Sequence, residues 1–142
     1  MKIISSFGNN EKIPAEYTCK ADNISPPFAI SDIPENTQSL VLIIDDPDAP
    51  SGLFTHWIVF NIPPAEKIKE NSIPGKQGRN DFGRINYIGP CPPSGTHHYH
   101  FKLFALDSML NLPESSSRKE IEKQMQNHIL DKAEIIGLFT KE

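Results

Sequence analysis

Proline occurs thirteen times in this 142-residue chain, and that density leaves few windows in which a helix can run. A proline inside a helix removes a backbone donor and clashes with the turn before it. The windows left between prolines carry strand patterns instead. Gln38 to Ile44 holds SLVLII, a continuous β-branched and aliphatic run bounded by turn residues, which reads as a strand buried on both faces. Phe54 to Ile62, FTHWIVFNI, is a second strand, closed by Pro63-Pro64. Thr96 to Leu106, THHYHFKLFAL, is a third. Alternation places Phe54, His56, Ile58 and Phe60 on one face of the second strand and Thr55, Trp57 and Val59 on the other. On the third, His97, Tyr99, Phe101, Leu103 and Ala105 share a face, and His98, His100, Lys102 and Phe104 share the opposite one.

The remaining chain is organised around these runs. Met1 to Phe7 is a short strand, and residues 17–27 read as loop with nothing helical. Residues 65–88 form an ordered surface loop, because Phe82, Ile85 and Tyr87 give it something to bury. One helix is expected late, from about Ser116 to Ala133. Ser117 and Glu120 have capping-box spacing, and Ile121, Met125, His128 and Ile129 recur at helical spacing. EIIGLF then makes a short apolar segment. Strands followed by a single helix indicate one mainly β (α+β) domain over residues 1–142.

A net charge of −4 gives no electrostatic reason to expect nucleic acid or anionic membrane as partner. No run approaches the roughly 18 apolar residues of a transmembrane segment. The N-terminus lacks the apolar core of a secretory signal, so a cytoplasmic location is expected. Cys19 and Cys91 lie far apart and form no CxxC motif. In a reducing compartment they are expected as two free, partly buried thiols; the alternative is that they are neighbours and pair on oxidation.

Two stretches concentrate the chemistry. Residues 44–57, IDDPDAPSGLFTHW, and residues 89–101, GPCPPSGTHHYHF, hold four of the five histidines. Asp46 and Asp48 flank Pro47 at the end of a buried strand, where side chains line clefts. A cis Asp46–Pro47 bond would aim Asp46 sharply inward. His56 lies between apolar neighbours, and a buried imidazole needs a partner, since an unpaired polar group costs about 1–3 kcal/mol. Asp46 and Asp48 are the obvious ones. His97 and Tyr99 share a face and converge, whereas His98 and His100 face away and read as an exposed strand face. The GPCPPSG loop is stiff and offers backbone N–H groups near Gly95. The His-x-His pair lacks third and fourth ligands, so no metal and no cofactor are expected. The set combines carboxylate, imidazole, phenol and amide. It matches a zwitterion such as phosphoethanolamine, ammonium to the acid and phosphate to His and Tyr.

The two stretches, in this order, resemble the phosphatidylethanolamine-binding protein family, and within it the short bacterial and archaeal branch called Raf-kinase-inhibitor-like. YTCKADNISPPF, GRNDFG and HILDKAEIIG are similar to that branch too, so the resemblance spans nearly the whole chain. It implies a large antiparallel β-sheet, a second smaller sheet and few helices. It implies a small anion pocket of Asp46, His56, Pro92, His97 and Tyr99, with Asp48 and Gly95 supporting. It implies phosphate-bearing ligands, a kinase or protease partner inhibited by protein contact, and a homodimer. His98 stands where the family usually has Arg.

The leading expectation is therefore a non-enzymatic binding or regulatory protein for a small phosphorylated or zwitterionic ligand. One rival is a hydrolase-like enzyme using the Asp/His/Tyr cluster for acid–base chemistry. Against it, no Ser or Cys is set up as a nucleophile with a base. The other rival is a kinase or protease inhibitor that acts by protein contact alone.

Overall fold

A computed structural model describes residues 1–141. The described residues form nine strands, one α-helix and one 3-10 turn at Ala15–Tyr17. Strands β1 (Lys2–Ile4), β3 (Phe28–Ser31) and β6 (Lys67–Ile68) make a small sheet in the order β1-β3-β6. The large sheet has the order β2-β9-β8-β4-β5-β7, from β2 (Glu11–Lys12), β9 (Ile129–Thr140), β8 (Thr96–Leu106), β4 (Ser39–Asp46), β5 (Phe54–Ile62) and β7 (Lys76–Gln77). All its pairings are antiparallel except the short β2–β9 contact. The expected architecture of one large antiparallel sheet, a smaller sheet and one helix is the one found.

Strand β4 is buried along its whole length, as its aliphatic run demands. Its two faces feed two cores. Leu40, Leu42 and Ile44 pack with Tyr99, Phe101 and Leu103 against Ile3, Phe28 and Ile30 of the small sheet. Val41 and Ile43 pack with Ile58 and Phe60 against Ile121 and Met125 of helix α1 (Arg118–Met125). The large sheet is thus covered by the small sheet on one side and the helix on the other.

Three local expectations need correction. The helix is shorter than expected. Its capping box of Ser117 and Glu120 forms, but Gln126 is extended and Asn127 is left-handed, with φ 69°. The chain then enters β9, whose partners on β8 run from Ile129 through Thr140. Pairing with a long central strand outweighs the helical spacing of His128 and Ile129, and EIIGLF is the second half of that strand. The 3-10 turn Ala15–Tyr17 also takes in Tyr17, the first residue of the stretch expected as loop with nothing helical.

The third correction concerns β5. Its register against β4 passes from Ile44↔Trp57 to Asp45↔Thr55, so His56 has no opposite number and forms a bulge. Strict alternation fails there. Phe54 and His56 face the small-sheet side, and so do Trp57 and Val59 beyond the bulge, whereas Ile58 and Phe60 face the helix.

Candidate ligand-binding site

The end of β4 places Asp46 beside the first residues of β8. His97 donates from Nδ1 to Asp46 Oδ2 at 2.6 Å, and both side chains are buried. The other carboxylate oxygen, Oδ1, accepts the backbone N–H of Asp48 at 2.8 Å. That bond is an Asx turn, which carries the chain around Pro47. The Asp46–Pro47 peptide is trans, so the turn, and not a cis bond, sets the direction of Asp46. Two residues along β8, the buried Tyr99 stacks against His97 with centroids 6.2 Å apart.

The β5 bulge turns His56 onto this same side, where its ring meets Tyr99 edge-on at 5.4 Å. Its partner is not an aspartate. Nδ1 lies 2.6 Å from the carbonyl of Ile88. A carbonyl only accepts, so Nδ1 carries the proton and Nε2 keeps its lone pair in the neutral ring. Burial pushes the imidazole below its usual pKa, opposed in smaller measure by the Ile88 bond and the nearby aspartates. Burial likewise pushes the Tyr99 phenol up, helped by the Asp46 charge and countered by a backbone hydrogen bond from Cys91. Asp48 holds His98 rather than His56: the His98 ring and backbone N–H both bond to Asp48 Oδ2 at 2.7 Å. Those bonds, the ring first, keep the Asp48 carboxyl below its usual pKa.

Two loops complete the walls. In residues 80–86 the buried Asn80 acts as a hub. Its Oδ1 accepts the N–H groups of Phe82 and Arg84, each at 3.0 Å, and its Nδ2 donates to the carbonyls of Asn86 and His56 at 2.8 and 3.2 Å. The loop so held presents Phe82 to Phe54 and His56 at 4.8 and 5.3 Å. The second loop, residues 87–93, is docked on residues 17–23. Tyr87 Oη donates to the Tyr17 carbonyl at 2.6 Å, Gly89 N–H to Asn23 Oδ1 at 2.8 Å, and Cys19 N–H to the Pro90 carbonyl at 3.1 Å. A Cβ on Gly89 would come within 2.2 Å of the Tyr17 carbonyl oxygen, which is why a residue without one stands there. Cys19 and Cys91 are joined by a disulfide. The expectation of two free thiols is therefore corrected: the loop docking brings the two sulfurs together across 72 positions.

These elements enclose a cavity of about 300 Å³. Asp46, His56, Pro92, His97 and Tyr99 line it, together with Phe54, Phe82, Pro50, Pro93 and Cys91. Asp48 stands behind it, on His98. Gly95 lies outside the lining and, at φ 64°, turns the chain into β8. Sequence reading missed Phe82, Asn80 and the Ile88 carbonyl as site elements. The GRNDFG turn was the visible signal for the first two; a backbone carbonyl leaves none.

Residues 3–140 match the sequence model described as phosphatidylethanolamine-binding protein. The chain belongs to this family. It is 53% identical to the UPF0098 protein of Pyrococcus horikoshii, over 99% of this chain and 77% of that one. It is 48% identical to the UPF0098 protein of Aquifex aeolicus, over 100% and 90% of the two chains. Among solved structures, a phosphatidylethanolamine-binding protein homologue, CT736 from Chlamydia trachomatis, superposes with a TM-score of 0.96 at 38% identity, covering 99% and 97% of the two chains. YbcL of E. coli, described as a member of the mammalian family, superposes at 0.89 and 28% identity, covering 99% and 98%. As a phosphatidylethanolamine-binding protein the chain is of the ligand-binding type. Among the described residues, no helix is long and apolar enough to cross a membrane.

Proposed function

We propose that this phosphatidylethanolamine-binding protein holds a small phosphate-bearing or zwitterionic head group in the Asp46/His97 cavity, and that it binds without turning over. The observation that carries this reading is the convergence of Asp46, His56, His97 and Tyr99 on one cavity of about 300 Å³. Small-ligand sites have this form: apolar walls and a few placed polar groups. His56 Nε2 and the second nitrogen of His97 are not consumed by the scaffold bonds described above, and Tyr99 Oη, which takes the Cys91 amide, still has its own proton to donate.

Binding is favoured over catalysis by the state of the nucleophiles. Cys91, the one cysteine in the lining, is spent in the disulfide. Among the described residues, the Ser51 hydroxyl has no hydrogen bond to an imidazole that would activate it. The disulfide also weighs against the cytoplasmic placement, since reducing compartments keep thiols reduced outside hyperthermophiles.

Calorimetric titration of phosphoethanolamine and inorganic phosphate tests the proposal. Both bind the native chain, and His97→Ala weakens them about tenfold or more, the scale of one lost charge-assisted hydrogen bond. Equal affinity in the two proteins sinks the cavity as the site. Turnover of phosphoesters that disappears in Asp46→Asn would replace binding by catalysis.

A further inference from the structure

The cavity has an unusual charge balance for a phosphate site. Among the described residues, none of those lining it is lysine or arginine, and Asp46 is its one carboxylate. Against that carboxylate stands a wall of rings. Phe54, His56 and Phe82 lie 4.8–5.4 Å apart, with interplanar angles of 63°, 75° and 74°. Three planes so inclined form the corner of a box. Tyr99 adds a fourth ring, at 81° to His56. Aromatic corners with a nearby carboxylate recognise quaternary ammonium groups, whose diffuse charge is drawn to ring faces.

A primary ammonium is served less well. It brings three N–H donors that must be satisfied once buried. Each oxygen of Asp46 already accepts one bond, from Asp48 N–H at 2.8 Å and from His97 at 2.6 Å. The carboxylate can add its charge and one further bond per oxygen, but it sits to one side of the ring wall and cannot surround three N–H donors. A trimethylammonium has no N–H to satisfy, and its methyls want the apolar walls. We propose that the cavity selects its ligand's cationic end as a trimethylammonium of the choline class, in preference to a primary ammonium. This rests on the head-group reading above.

The test titrates the full chain with phosphocholine, phosphoethanolamine and inorganic phosphate. Phosphocholine binds about tenfold tighter than phosphoethanolamine, the scale of one desolvated cation–π contact. Phe82 is 43% exposed and sits on a loop, so Phe82→Ala keeps the fold. That variant cuts the affinity for phosphocholine about fivefold and weakens phosphate by a smaller factor, since phosphate has no cation to set against the ring. Phosphoethanolamine binding as tightly as phosphocholine, or Phe82→Ala weakening all three equally, overturns the selection and leaves the head-group reading standing. No heat from any of the three overturns both. Flotation with phosphatidylcholine vesicles separates the sources. Capture by vesicles assigns the group to a lipid and free phosphocholine binding alone assigns it to a soluble ester; both uphold the selection.

Discussion

Asp45 and Asp46 are adjacent carboxylates on one strand, and they live in opposite worlds. Asp46 faces the cavity and is held by one imidazole and one backbone amide. Asp45 faces the helix side, fully buried, and is held at Oδ2 by Lys102 at 2.9 Å and Arg118 at 2.8 Å. Arg118 also bonds the Thr55 hydroxyl at 2.9 Å, so this knot ties the start of α1 to β4 and β5. Its second oxygen, Oδ1, has no partner among the described residues. Two permanent cations around one acid make a structural clamp. A single imidazole around the other leaves an acid that a ligand can still address. The pleat divides the acids between these tasks, and the residue type does not.

The comparison can be broken at several points. The largest effect falls on the cavity side. Replacing Cys19 and Cys91 by serine frees a cross-link spanning 72 positions, which costs about 4 kcal/mol in the chain-entropy description. Urea unfolding of the native and doubly substituted proteins measures it, and equal midpoints would show that the loop docking needs no covalent tie.

On the helix side, Asp45→Ala strands two cations. Removing one partner of a buried pair costs 3–5 kcal/mol, and the partial exposure of Lys102 and Arg118 reduces this to about 2–3 kcal/mol. Phosphate affinity should stay within about twofold of native, because the clamp and the cavity lie on opposite faces. A parallel loss of binding would mean that the two acids act as one unit.

The smallest effect is a pH dependence. The unfolded His56 ring takes a proton near 6.5, and the folded ring resists it. The unfolded state then binds more protons, so stability is lost as pH falls below about 6.5 and through the folded value. At the other end, burial raises the phenols of Tyr99 and Tyr87 above 10.0 in the folded state, so stability is lost as pH rises past that point. Denaturation midpoints across this range check both slopes. His56→Asn should flatten the acid side alone, and an unchanged acid slope would assign it to other groups.

Much of this was legible before the fold. Strands β5 and β8 begin and end where their patterns do, and β4 extends past SLVLII only through its two acids. The capping box predicted the start of α1, and strand faces picked His97 and Tyr99 together. The rest depends on contacts distant in sequence. His56 reached the cavity through a bulge that strict alternation cannot show. The pairing of His97 with Asp46, and of His56 with a carbonyl, depends on loops arriving from elsewhere in the chain. The helix was drawn too long because His128 and Ile129 fit two periods, and only the presence of β8 as a partner decides between them. The disulfide needed the docking of residues 87–93 on residues 17–23 to be known first.

The unmatched His56 in β5 acts as a phase shift in the strand. Before it, Phe54 and His56 line the cavity; after it, Trp57 and Val59 fill the core between the sheets. One extra residue thus lets a single strand speak two patterns while it stays paired with β4 on both sides of the bulge. The cavity end can change its vocabulary, exchanging Phe54 or His56 for another ligand's needs, while Trp57, Val59 and everything they pack against go on reading the same instruction.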